Sequence, residues 1–284
     1  MPVFKISSRS SKVNSCSLNI EDFKALYREL NDKVNEALEI ELTQSPAFEN
    51  IPAGQARVLR DRIRQNFKLS VLIVGTKEEI LSGDDASVFD NENLPNNINT
   101  ITFDSSYYFK IVIGQEPMNK LFVQFDFKKQ KLFDFSNPVT EPIENESSIS
   151  VTGMNDTWVN GVYSSIKDFL ENKKKNRNWL HKKHFYDLFL YVLFYPIAFW
   201  CIYRVTSLLP EKINIVLLIA ICLYLFIFLL FILRILFNYT RWIFPLLEFV
   251  PTSGTKMGRH RATLYILALG IISATIRDII KSLF

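Results

Sequence analysis

Three groups of residues in this chain have the types and spacing that chemistry uses. His181, His184 and Asp187 stand three apart. On a helix they share one face, where two imidazoles and a carboxylate can meet a transition metal. The set is small for that purpose, because zinc normally wants a further ligand in a tight cage. Arg57, Arg60 and Arg64 recur at i, i+3 and i+7. Such a row can clamp phosphate oxygens bidentately and is the best candidate ligand site in the N-terminal half. Gly83-Asp84-Asp85 is an acidic turn with the donors for a divalent cation, although a lone acidic turn is usually a turn. Catalysis finds little more. The nine glycines form neither a G-x-x-x-x-G-K-[ST] loop nor a G-x-G-x-x-G fingerprint. No histidine precedes His181 to activate a serine or cysteine. The expectation is no enzyme, no cofactor and no metal.

The surroundings of the histidine pair give it another role. Trp179, His181, Lys182, Lys183, His184 and Tyr186 stand immediately before an apolar run, Leu188 to Tyr203. Aromatic and basic residues in that place read as an anchor at the water–lipid boundary. A second run, Ile213 to Leu233, has 21 residues and no charge. A bilayer core of about 30 Å takes roughly 20 helical residues, so each run can cross it once. Residues 204–212 are too few for anything but a turn, which predicts a two-helix transmembrane hairpin over 188–237. The spans hold no Asp, Glu or Lys, against an ion-coupled transporter. A pore would need several copies about an axis, with Arg204 or Arg234 at its mouths. Beyond the hairpin, 238–284 is read as membrane-associated. Its end has only about 15 consecutive uncharged residues, short for a span and suited to an amphipathic or re-entrant helix.

Charge separates the rest. The net charge is +4, but residues 1–171 hold 18 Lys/Arg against 25 Asp/Glu, and residues 172–284 hold 15 against 4. An acidic head argues against a general nucleic-acid binder. Basic residues flank both outer ends of the hairpin and place the head in the cytoplasm by the positive-inside rule. Residues 1–11 are polar and lack a secretory core. Cys16, Cys201 and Cys222 offer no disulfide framework.

Periodicity predicts the head's elements. A strand is expected at Pro2–Ile6, then a Ser-rich link, then a helix capped by Asn19 with a stripe of Phe23, Leu26, Tyr27, Leu30, Val34 and Leu38. Pro46 ends it and Pro52 opens a shorter helix. Alternation then predicts strands around Phe67–Ile73, Leu121–Phe127, Phe133–Phe135 and Ile149–Val151, and a long strand or hairpin over Ile101–Ile111. A last helix from Asp156 buries Trp158 and Ile166, which would couple the head to the first span. Helices followed by consecutive strands imply an α+β cytosolic domain with an antiparallel sheet. The expected organisation is a sensor domain over 1–171, a basic juxtamembrane helix over 172–187, the hairpin and the C-terminal segment.

Val151-Thr-Gly-Met-Asn-Asp-Thr-Trp-Val-Asn-Gly161, Asn178-Trp-Leu-His181, Tyr186-Asp-Leu188 and Pro196 within the span resemble a group of uncharacterised bacterial inner-membrane proteins. These pair a cytosolic α+β domain with a C-terminal two-span hairpin. The plan is also similar to membrane effectors of antiphage systems, the Hailong effector among them. That resemblance implies an inner-membrane protein, and the closed symmetry of homo-oligomers adds the expectation of about three to six copies in the bilayer. Its head would sense a nucleotide or oligonucleotide signal, or a partner protein encoded nearby, and open or assemble a pore. The alternatives are a non-conducting anchor or scaffold and a membrane-bound enzyme.

Overall fold

The structure is a computed structural model, and it describes residues 6–13, 15–44, 52–129, 131–133, 145–210, 213–251 and 256–283. The chain divides into two compact units. Unit 1 comprises Met1–Lys129, Pro142–Trp179 and Leu246–Phe249. Unit 2 comprises Gln130–Glu141, Leu180–Pro245 and Val250–Phe284.

Unit 1 is an α+β domain. Its main sheet contains β1 (Ser7–Lys12), β3 (Ser70–Gly75), β4 (Ile80–Gly83), β5 (Ile98–Asp104), β6 (Lys120–Asp126) and β7 (Ser148–Gly153). The strands run in the order β1-β7-β6-β5-β3-β4, and every neighbouring pair is antiparallel. Register places buried residue opposite buried residue: Val71 and Ile73 face Phe103 and Ile101, which face Val123 and Phe125. Leu121 and Val123 then face Val151 and Ile149. A period of two makes this register strongly specified, since a one-residue slip would turn the whole set toward water.

Helix α1 (Ile20–Gln44) lays its stripe of Phe23, Leu26, Tyr27, Leu30, Val34 and Ala37 into the same core. Its start is fixed reciprocally. Asp22 N donates to Asn19 Oδ1 at 2.8 Å and Asn19 N to Asp22 Oδ2 at 2.9 Å. This is the geometry of a capping box, contributing about 1 kcal/mol. Near its other end the buried Glu41 carboxylate accepts from Met118 N, Asn119 N and Asn119 Nδ2 at 2.9–3.2 Å. Helix α2 (Ala53–Asn66) follows Pro52 and buries Ile63. Helix α4 (Asp156–Asn172) is capped by Asn155, whose side chain accepts from Thr157 N and Trp158 N.

Two expectations are corrected. Ile101–Ile111 is neither one long strand nor a hairpin. The strand stops at Asp104, whose Oδ1 accepts from both Ser106 N and Ser106 Oγ at 2.7 Å, an Asx turn that ends the ladder. The chain continues as helix α3 (Tyr107–Ile113), closed by Gly114 at φ 78 in the left-handed conformation. Alternation at three positions fitted a helix with Phe109 buried equally well. The Ser-rich link is a strand as well. β1 is an edge strand, and an edge needs backbone pairing more than apolar side chains. Pro2–Lys5 of the expected first strand, Pro46 and Phe135 lie outside the described residues, and Phe133 lies in a bend.

Among the described residues, unit 2 has two helices long and apolar enough to cross a bilayer. The first, His184–Thr206, has mean hydropathy 1.7 over its most apolar window. It is built from α5 (Lys183–Phe189), a π turn over Leu190–Phe194 and α6 (Tyr195–Thr206). The π turn has a cause: Pro196 has no N–H to give, and Tyr195 N–H donates five residues back, to Leu190 O. The second, α7 (Ile215–Ile243), has mean hydropathy 3.4 and begins at an Asn214 cap. Both expose large apolar side chains such as Leu193, Phe199, Leu217 and Leu223, unlike the core helices of unit 1. The C-terminal segment is one long helix, α8 (Lys256–Leu283), with Tyr265, Ile266, Leu267 and Leu269 exposed.

Candidate functional site

The residues of unit 1 that precede and follow the hairpin converge on one short strand. β2 (Cys16–Asn19) uses one edge for the segment after α4. Ser17 N donates to Lys173 O at 3.2 Å, Lys175 N donates to Ser15 O at 2.9 Å, and Cys16 bridges Lys174. Alternate residues of a strand aim their backbone groups at opposite edges, so the other edge stays open. There β2 pairs with β8 (Leu247–Val250), the segment that follows the second span.

Side chains lock the same junction. Arg177, before the hairpin, donates from Nη1 to Glu248 Oε2, after it, at 2.6 Å. Glu248 is only 5% exposed. Lys173 pairs with Asp22 at 2.8 Å, tying the exit segment to the α1 cap. Phe249 joins the ring cluster of Phe23 and Phe127 at centroid distances of 6.3 and 5.9 Å. Burial, and then the charge of Asp22, push the Cys16 thiol up to about 12. Buried and held in the thiol form, Cys16 is poorly suited to act as a nucleophile, since the thiolate is the reactive form.

This junction was invisible to sequence reading. Leu-Glu-Phe-Val has no alternation to show, and its partner strand lies more than two hundred residues away. The available signal was Glu248 itself, a lone carboxylate in an apolar stretch.

The expected site residues fall as follows. Arg57, Arg60 and Arg64 lie on α2 and are all exposed. A shallow concavity of about 510 Å³ in unit 1 is lined by Lys12, Asn145, Glu146, Ser147 and Ser148 and includes none of them. Trp158 and Ile166 are buried in α4, and Trp158 Nε1 donates to Lys33 O at 3.0 Å. α4 ends at Asn172 and α5 begins at Lys183, so 172–187 is not the continuous helix expected. Between them Lys174 is in the β2 bridge and Asn178–His181 forms a 3-10 turn.

Trp179, Lys182 and His184 are exposed, whereas His181 and Tyr186 turn inward. His181 Nε2 lies 2.8 Å from Phe244 O. A carbonyl only accepts, so Nε2 carries a proton and ties the start of the first span to the end of the second. Among the described residues no three His, Cys, Asp or Glu stand together as metal ligands. Lys183 opens α5. Arg204 is exposed beside Trp200, its guanidinium 5.6 Å from the ring centroid. Arg234, expected at a pore mouth, is buried within unit 2.

Tyr195 stacks on Phe226 at 6.2 Å, and Phe237 lies 4.9 Å from Tyr186. These two phenylalanines pack within the chain, while Phe228 and Phe231 remain exposed.

No known protein family, curated protein or solved structure matches this chain.

Proposed function

We propose that this chain is a signal-gated membrane effector. Its head senses a ligand and opens or assembles an oligomeric pore in a bacterial inner membrane, in the manner of antiphage effectors. The observation that carries this reading is the grip of β2 on both segments flanking the hairpin. A change of state in the head that shifts α1 or α4 pulls on β2, and β2 holds both entrances to the membrane at once. A single covalent tether would permit swivelling; two tethers on one strand transmit displacement.

Topology is constrained in the same way. Trp179 and Leu246 belong to one unit, which supports an even number of crossings by the chain between them. The basic flanks then favour a cytoplasmic head. Single cysteines in sealed cells test this: a probe at exposed Ser207 should react from outside and one at Ser87 should not. A closed assembly of three to six copies is the reading that the symmetry of homo-oligomers supports, with Phe228 exposed on α7. The candidate signal is a nucleotide or oligonucleotide phosphate at Arg57, Arg60 and Arg64, or a partner protein at the head.

Coupling is tested by inserting Gly-Gly-Ser-Gly between Asn172 and Asn178, where Lys173–Lys175 bond to β2. Membrane insertion should survive, and triggered toxicity or conductance should be lost. Charge reversal of the three arginines should blunt the response while leaving assembly intact. Retained triggered activity in the loosened chain rejects the reading.

One observation favours the second reading, a non-conducting anchor that recruits a partner. Ile215–Leu233 carries no charged side chain and no polar stripe that would line a wet pore. An anchor predicts no toxicity when the chain is overexpressed and triggered, and a pore predicts it.

A further inference from the structure

Unit 2 buries polar groups that its own atoms do not satisfy. Arg234 is 4% exposed, Asn238 1% and Tyr186 1%. Among the described residues Arg234 Nε, Asn238 Oδ1 and the Tyr186 hydroxyl have no hydrogen-bond partner. Among the described residues no carboxylate forms an ion pair with Arg234. Buried polar groups in folded proteins are almost always paired, and a buried guanidinium without a counter-charge is the costliest exception.

The three form one constellation. Arg234, Asn238 and Arg241 stand at i, i+4 and i+7 and so share a face of α7. Phe237, on the same helix, packs against the Tyr186 ring at 4.9 Å and under the Arg241 guanidinium at 4.6 Å. Arg241 Nε donates to Leu180 O at 3.2 Å, and Asn238 Nδ2 reaches Leu132 O at 3.5 Å. The first contact fixes Arg241 as a neighbouring positive charge, and the second aims the Asn238 amide so that its oxygen remains to be filled.

The unfilled atoms specify a ligand by chemistry. Arg234 Nε is a charged donor, Asn238 Oδ1 an acceptor, and the Tyr186 hydroxyl either. Water lacks the negative charge, and a bare carboxylate or halide lacks a donor. A phosphate ester that carries free hydroxyls supplies both. Position favours its source: Arg234 lies 19 residues beyond Ile215, about 29 Å along the helix axis, against a hydrocarbon core of about 30 Å. That is the depth of lipid phosphates.

We propose that Arg234, Asn238 and Tyr186 form a binding site for a hydroxylated phosphate group, supplied by the headgroup of an anionic phospholipid such as phosphatidylglycerol. The site is independent of whether the hairpin conducts.

The test uses the full chain in mild detergent, with native mass spectrometry after adding equal phosphatidylglycerol and phosphatidylcholine. The wild type should retain the glycerol lipid roughly tenfold over the choline lipid, the preference expected when a buried cation gains its phosphate. Arg234→Gln should bring the ratio near parity. Tyr186→Phe removes only a hydroxyl that has no partner among the described residues, so it should lower the ratio without lowering the thermal midpoint. Exposed Lys182→Gln serves as the surface-charge control and should leave the ratio unchanged. A second arm adds glycerol 3-phosphate without lipid. A rise in thermal midpoint that Arg234→Gln abolishes, with no lipid preference, keeps the site and makes its source a soluble phosphate ester. Parity of the two lipids together with no response to glycerol 3-phosphate overturns the proposal. So does an equal loss of preference in Lys182→Gln and Arg234→Gln, or an unchanged ratio in Tyr186→Phe.

Discussion

The two units invert each other's chemistry. In unit 1 the apolar side chains point inward and the buried polar groups mostly find partners: Glu41 with three donors, Trp158 with Lys33 O, Tyr27 Oη with Asp84 O. In unit 2 the apolar side chains point outward, and orphaned polar atoms lie within. Water cannot explain both patterns. A domain folded in water gains by hiding Phe and Leu, whereas a helix in lipid gains nothing from hiding them. What lipid penalises is an unsatisfied polar group, and α7 gathers its own on one inward face beyond its first 19 residues.

The largest effect that can break this contrast is at Phe23, which is fully buried among Phe89, Phe103, Phe125, Phe127 and Phe249. Phe23→Ala should cost about 3–5 kcal/mol in urea unfolding of the head. Leu223→Ala, on the exposed face of α7, should change the stability of the detergent-solubilised protein by less than about 0.5 kcal/mol. Comparable losses at both positions would make α7 a soluble core helix and dissolve the comparison.

Glu41 comes next. Glu41→Ala strands the Met118 and Asn119 amides and should cost roughly 2–3 kcal/mol by thermal denaturation. A cost near zero would mean that the buried polar groups of unit 1 are no better used than those of unit 2.

The β2 junction sharpens the contrast. Arg177→Met leaves Glu248 buried without its guanidinium and should cost about 1–3 kcal/mol. It should also raise the rate at which Cys16 is alkylated, because the strand that shields the thiol loses its side-chain lock. Unchanged alkylation would separate the ion pair from the junction's rigidity.

The smallest effect is one of pH. Cys16 is held at about 12 in the folded protein against an ordinary value of 9.0. A raised acid binds its proton more tightly when folded, so its contribution is fully present below pH 9 and is lost as pH rises from 9 toward 12. Native protein should resist iodoacetamide at Cys16 at pH 9.5, and urea-unfolded protein should react. Rapid alkylation of the native chain at that pH would place the thiol in water.

The sequence by itself determined the elements whose signal is local. Asn19 and Asn155 announced two helix starts, the stripe from Phe23 to Leu38 announced α1, and alternation from Leu121 to Phe127 announced β6. Two charge-free runs announced the two helices long and apolar enough to cross a bilayer, because a span is set by length and composition residue by residue. Tertiary structure decided the rest. Only the fold showed that Ser7–Lys12 is a strand, since edge pairing is made by backbone atoms that every residue carries. Only the fold turned the alternation after Asp104 into α3, through a turn made by one carboxylate. Only the fold showed that Arg57, Arg60 and Arg64 are exposed on α2 while Arg234 is enclosed. Above all, β8 returns to β2 across the whole hairpin. Pairing between segments so far apart is fixed by which edge is left open when everything else has packed, and no local pattern of residues encodes that.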